Sequence, residues 1–223
     1  MNSKTPNTIA YSLCGQKHDE NEDSILVRQL SESAVLLVVA DGISSSSYGG
    51  SVSRWLTRKL NDFTPETDQY FEELKNFILK LQKKFLAEFI GFINMLESGS
   101  TLSVALITDY NLHCFWLGDT PIFLTNLNDY ETTQVSVDQA KEHVLQDWFS
   151  GFSPFKVQIK SIPLCKNCIV TVASDGLLLS ENELKCFYKD CGFDQQALQK
   201  CVEEKVSCKG SDDSSIVAFN YFA

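Results

Sequence analysis

The chain is predicted to be α+β, with antiparallel sheets that carry helices on their outer faces. Three observations lead there. Apolar runs of strand character open and close the chain, helical periodicity fills two separate stretches, and short strands joined by tight turns lie between those stretches. The resulting order is strands, two helices, more strands, two helices and a closing strand. A doubly wound parallel sheet would need regular strand–helix alternation, which this order lacks.

Thr8 to Leu13 is the first short strand. The polar loop Gly15 to Glu22 follows, and Asp19, Glu20, Glu22 and Asp23 crowd into it before the apolar run Ile25-Leu26-Val27. Val35 to Ala40 is apolar throughout, so it reads as a strand buried on both faces, and Asp41-Gly42 turns the chain at its end. Ser47 or Ser51 is expected to N-cap a helix through Val52, Trp55, Leu56 and Leu60. Thr64-Pro65-Glu66 opens a second, long helix, along which Tyr70, Leu74, Phe77, Ile78, Leu81, Phe85, Phe89 and Ile93 make one apolar stripe. That stripe is core.

From Gly99 the period becomes that of strands. Thr101 to Thr108, Leu112 to Leu117 and Pro121 to Thr125 form an antiparallel meander. Asp138 to Phe149 is expected to be helical and Phe155 to Ile162 a strand. Ile169 to Ser174 is a second buried strand, and it too runs into an aspartate and a glycine, Asp175-Gly176. Ser180 and Glu183 make a capping box for the next helix. Gln195 to Val206 forms another helix, and Ser214 to Phe222 closes the chain as a strand. With no repeat or linker, residues 1–223 are read as one domain.

The formal net charge is −10 and no Lys/Arg run is present, which argues against nucleic acid as a partner and suits a site that recruits cations. Met1 to Asn7 has no apolar signal core, and no stretch reaches the roughly 18 apolar residues of a membrane span. A cytosolic protein without membrane contact is therefore expected, with its eight cysteines reduced. Cys165-x-x-Cys168 with Cys186 and Cys191 lacks the second pair's spacing for a zinc knot.

Acidic residues stand at the strand boundaries: Glu22 and Asp23, Asp41, Asp175, and Asp212 with Asp213. Two buried strands that each deliver an aspartate bring carboxylates together on stiff supports, and such a cluster repels itself unless cations occupy it. Oxygen donors without His or Cys in these turns suit magnesium or manganese. Two such ions sharing one carboxylate would activate a water and clamp a phosphoryl group.

The blocks Asn21-Glu22-Asp23-Ser24, Val39-Ala40-Asp41-Gly42, Gly99-Ser100-Thr101-Leu102, Leu117-Gly118-Asp119-Thr120 and Ala173-Ser174-Asp175-Gly176-Leu177, closed by Asp212-Asp213-Ser214-Ser215-Ile216-Val217, occur in this order. In them the chain resembles the metal-dependent protein phosphatases of the 2C type, in a divergent, compact bacterial branch. The resemblance implies an αββα sandwich, in which two antiparallel sheets are flanked by helix pairs. It implies two Mn2+ or Mg2+ ions and hydrolysis of phosphoserine or phosphothreonine in proteins by a metal-activated water, without a phospho-enzyme. Asp41 would bridge the ions and the Gly42 carbonyl would bind one of them. Asp175 and Asp212 would hold the other, and Glu22 and Asp23 would bind metal or orient its waters. His18 stands where many members carry an arginine for the substrate phosphate, and Leu96 where many bacterial members place a third-metal aspartate. Asp119 is read as a turn residue. The implied partners are a phosphorylated protein substrate and a cognate kinase system. A pseudophosphatase that keeps the fold as a binding module is the competing reading, against which the presence of Asp41, Asp175 and Asp212 speaks. Hydrolysis of a small phosphorylated metabolite is a weaker third.

Overall fold

In the computed structural model, which describes residues 7–141, 144–208 and 211–221, the fold is built on a strand whose every residue is buried. This strand, β3 (Ala34–Ala40), alternates between two apolar environments. Leu36, Val38 and Ala40 face helices, packing with Trp55, Leu56 and Phe85, while Val35, Leu37 and Val39 face a second sheet through Val170, Val172 and Val217. An uninterrupted apolar run is what burial on both faces requires.

The remaining strands are β1 (Thr8–Leu13), β2 (Ser24–Ser31), β4 (Leu102–Ile107), β5 (Asn111–Leu117), β6 (Ile122–Asn126), β7 (Thr132–Gln134), the short β8 (Ala140–Lys141) and β9 (Val144–Leu145), β10 (Gln158–Pro163), β11 (Cys168–Ala173) and β12 (Ser214–Tyr221). They make two five-stranded sheets, in the orders β10-β5-β4-β3-β2 and β1-β12-β11-β6-β7, and every pairing is antiparallel. Helices α1 (Gly49–Asn61), α2 (Tyr70–Leu79), α3 (Leu81–Glu88) and α4 (Ile93–Glu97) belong to the first sheet's side. Helices α5 (Glu181–Cys191) and α6 (Gln195–Val206) cover the second, where Leu184, Tyr188, Leu198 and Val202 meet Ile169, Ala173 and Ile216. The layers are helix, sheet, sheet, helix, as the resemblance implied.

Several local expectations are corrected. The long helix from Pro65 begins at Tyr70, because the Glu73 carboxylate accepts the Glu66 and Thr67 amides (2.7 and 2.9 Å) and the Thr67 hydroxyl, which folds the preceding residues into a loop. It then divides into α2, α3 and α4, and Gly91, with φ of +89°, turns the chain between the last two. Neither Ser47 nor Ser51 caps α1; Tyr48 occupies that position with no side-chain cap. The expected helix over Asp138 to Phe149 holds the β8–β9 hairpin instead, although residues 142 and 143 lie outside the described ones. Tertiary hydrogen bonds account for this: the Gln139 amide donates to the Gly118 carbonyl (3.1 Å), and its side-chain oxygen accepts the Gly118 amide (2.9 Å). The capping box at Ser180 and Glu183 is formed. The last strand is described to Tyr221, and the expected Phe222 lies outside the described residues.

Strand registers bring the acidic turns to one end of both sheets. Ser24 pairs with Ala40, so Asp23 and Asp41 flank one rung of the first sheet. Ala173 pairs with Ile216, and Leu13 with Ser214, so Asp175, Asp212 and the loop after β1 meet at the same end of the second sheet.

Candidate active site

Asp41 is fixed by its backbone. Its amide donates to Thr101 Oγ1 (3.1 Å), and its carbonyl accepts the Thr101 amide (2.8 Å) and the Ser100 hydroxyl (2.9 Å). The glycines beside the aspartates allow close approach of other backbone. A Cβ on Gly42 would lie 2.5 Å from the carbonyl carbon of Gly49, and one on Gly176 would lie 2.0 Å from the Asp213 carbonyl oxygen. Both Asp-Gly turns are therefore packed against a neighbouring element and exclude any side chain at the second position.

Asp41, Gly42, Asp175 and Asp212 line one cleft of about 620 Å3, together with Asp119, against an apolar wall that includes Ile43 and Trp148. Burial pushes the Asp41 carboxyl well above the usual carboxylate range, and the neighbouring Asp23 and Asp175 push it the same way. Asp119, after Gly118 in the β5–β6 turn, is raised to about 6 by burial and then by Asp175. Asp212 pairs with Lys17 at 2.8 Å.

Asp23 lies beneath the cleft and is buried. Its Oδ2 accepts the Ser174 hydroxyl (2.8 Å), and Ser174 Oγ in turn accepts the Ser215 amide (2.9 Å), tying the starts of β2 and β12 to the end of β11. Its Oδ1 has no hydrogen-bond partner. Burial raises Asp23 to about 6, partly offset by the serine hydroxyls.

Glu22 and His18 line an adjoining pocket of about 490 Å3 that shares Ser44 with the cleft. Their anchor is Asp213, almost fully buried, whose Oδ1 accepts the Gly15 amide (2.7 Å) and whose Oδ2 accepts the Glu22 amide (2.7 Å) and His18 Nδ1 (2.9 Å). The other ring nitrogen of His18, Nε2, faces Glu22 Oε2 at 3.8 Å. For His18, burial lowers the pKa but Asp213, Glu22 and Asp212 outweigh it, leaving the pKa raised. Glu22 Oε2 is itself buried and without a hydrogen-bond partner. Arg54 of α1 also lines this pocket; its guanidinium donates to the Asn21 carbonyl (3.1 Å).

Every site residue expected from the sequence thus lies at this end of the sandwich, with His18 and Glu22 beside the cleft rather than in it. Asp119, Ser174 and Arg54 escaped the sequence reading as contributors, and Asp213, counted there among the acidic oxygen donors, serves as the anchor of His18 and Glu22. Asp119 and Ser174 do stand inside the quoted blocks, but Arg54 carries no local signal. The residues suit divalent cations: the cleft offers oxygen donors, buried carboxylate oxygens lack partners, and the carboxyl groups resist ionisation where no cation stands beside them. Among the described residues no cysteine group is close enough to hold an ion, and all eight cysteines are free.

Solved structures share the whole architecture. The serine/threonine phosphatase Stp1 of Staphylococcus aureus superposes with a TM-score of 0.84 at 16% identity, over 99% of this chain and 96% of that one. The catalytic domain of the phosphatase PstP, solved with two manganese ions, does so with 0.80 at 19% identity, over 96% and 97%. PppA of Pseudomonas aeruginosa, described as a key regulatory component of its T6SS, gives 0.80 at 19% identity over the same shares. At these identities the likeness is one of fold. A comparison with curated proteins finds no match. The protein phosphatase 2C family matches residues 14–207. That match runs from the end of β1 to the end of α6 and takes in most of the acidic turns, so the chain belongs to the protein phosphatase 2C family.

Proposed function

We propose that the chain is a metal-dependent serine/threonine protein phosphatase that hydrolyses phosphomonoesters at two divalent ions, Mn2+ or Mg2+. The observation that carries this reading is the set of buried carboxylate oxygens without partners, Glu22 Oε2 and Asp23 Oδ1, beside an Asp41 whose ionisation is suppressed. Such groups are costly in a folded protein unless a cation completes them. The two manganese ions of the PstP structure support the count. Asp41, Gly42, Asp175 and Asp212 would hold the ions, with Glu22 and Asp23 behind them. When bound, the ions supply an activated water and a clamp for the phosphoryl oxygens.

The chain's own residues do the rest. Asp213 holds the Glu22 backbone through its amide, and the Ser174 hydroxyl orients the Asp23 carboxylate. The substrate phosphate, a dianion entering an acidic cleft, needs a cationic anchor. The resemblance assigns that role to the position of His18, but both ring nitrogens of His18 are turned to carboxylates. Arg54 at the pocket rim is the better anchor, since no carboxylate pairs with it among the described residues and a guanidinium binds phosphate in a fork, whereas Lys17 is already paired with Asp212. The substrates are phosphorylated proteins, made by a partner kinase, and the free thiols support a cytosolic setting. Among the described residues no helix is long and apolar enough to cross a membrane.

Phosphate release from p-nitrophenyl phosphate and from a phosphothreonine peptide tests this, with manganese, magnesium or chelator. Peptide turnover that needs metal and disappears in Asp41→Asn and Asp175→Asn is expected. Wild type as inactive as both variants under every metal condition would instead leave a pseudophosphatase that binds phosphoproteins.

A further inference from the structure

We propose that His18 is a metal ligand: its Nε2, with Glu22 Oε2, forms a mixed nitrogen–oxygen end to the ion site, selecting a divalent transition ion over magnesium. The proposal rests on the metal-dependent reading above and assigns an imidazole to one of its ions.

A carboxylate only accepts hydrogen bonds, so the 2.9 Å contact with Asp213 makes His18 Nδ1 the donor. Asp212 Oδ1, 3.7 Å from the same nitrogen, reinforces that choice. The neutral ring then carries its lone pair on Nε2. A carboxylate that fixes the tautomer from behind is the usual support of a metal-bound histidine.

In front of Nε2 stands Glu22 Oε2, 3.8 Å away, buried and without a hydrogen-bond partner. That gap is too long for a hydrogen bond. It is short enough for one ion to bridge both atoms with bonds of about 2.1 Å and an open angle. The ring is held, since the side chain is only 18% exposed and the Glu22 backbone is fixed by its amide on Asp213 and its carbonyl on Gly42. Among the described residues, His18, Glu22 and Asp213 also form the group of potential ligands with one donor atom from each lying within 4.8 Å of the others. Nitrogen donors favour later first-row ions, whereas magnesium keeps to oxygen and water. An arginine at this position could bind phosphate but could not ligate.

The test uses the full chain with a substoichiometric amount of Mn2+ in excess Mg2+, so that manganese occupies the site that prefers it. Pulsed electron paramagnetic resonance should detect 14N coupling to the ion, and labelling with 15N-histidine should replace it with the 15N signature. The coupling is expected to vanish in His18→Gln and in His18→Arg, the second of which keeps a donor towards Asp213 should the first fold poorly. It should persist in His113→Gln, whose ring stacks on Phe71 away from the cleft. Equilibrium binding should show the Mn2+-over-Mg2+ preference falling about tenfold or more in His18→Gln, and Asp213→Asn should weaken Mn2+ binding about ten- to hundredfold. Two bound Mn2+ ions without 14N coupling, or coupling that survives in both His18 variants, overturns the proposal and leaves the two-metal phosphatase standing. No Mn2+ binding at all overturns both.

Discussion

Asp213 shows how the site tolerates a charge that is almost entirely buried. Three donors, the Gly15 and Glu22 amides and His18 Nδ1, converge on its carboxylate, and charge-assisted bonds of this kind offset the lost hydration. Asp41 has no such set of donors, and burial with Asp23 and Asp175 beside it disfavours its charged form. Asp41→Asn or Asp175→Asn should therefore cut metal-dependent peptide turnover about a hundredfold or more, measured by phosphate release. Arg54→Ala should raise KM for the phosphopeptide about tenfold with little change in kcat, because it removes a contact to the phosphate that is made alike before and during the reaction. A fall in kcat alone would take Arg54 out of substrate binding. Gly176→Ala should prevent stable folding, since its Cβ would overlap the Asp213 carbonyl at the place where β11 and β12 meet.

Among the elements, α5 carries the clearest local signature. The Ser180 hydroxyl accepts the Glu183 amide (3.3 Å) and the Glu183 carboxylate accepts the Ser180 amide (2.8 Å), while Lys205 of α6 pairs with Glu183 at 3.1 Å. Ser180→Ala should cost about 1 kcal/mol. For a domain of this size that lowers Tm by about 2–4 °C, with no change in metal-dependent activity, because the cap lies outside the cleft. The β8–β9 hairpin behaves differently. Its base is held by the exchange of hydrogen bonds between Gln139 and Gly118, next to Asp119 on the cleft wall, so its conformation follows from contacts with another element and not from its own periodicity.

For the whole molecule, stability and function oppose each other at the carboxylate end. Asp23 titrates at about 6 in the folded chain, against 3.8 for an exposed aspartate carboxyl. The folded state thus holds this proton more tightly than the unfolded state. The stability it contributes is fully present below about 3.8 and is lost as pH rises through about 6. Metal-free protein should accordingly lose Tm between about pH 3.5 and about pH 6.5, and Asp23→Asn should flatten that slope while raising Tm at the upper end of the range. Added Mn2+ should restore wild-type Tm there by linkage, and do so less in Asp41→Asn. Thermal melts with and without chelator read each of these, and a wild-type slope equal to that of Asp23→Asn would remove Asp23 as the source.

The sequence by itself determined the long strands of both sheets, the two Asp-Gly turns, the capping box and the antiparallel α+β class. Each is written in short-range terms: an apolar run that ends on a carboxylate, or a serine three residues before a glutamate. The order of the acidic blocks also carried the family. The tertiary structure alone decided where α2 starts, that residues after Asp138 form a hairpin, and that His18 faces carboxylates. It likewise decided that Asp119 joins the site and that Asp213 anchors His18 and Glu22. Those features depend on partners far along the chain, such as Gly118 for Gln139 and Asp213 for His18. Burial and charge at a site are properties of what folding brings together, so no local pattern announces them.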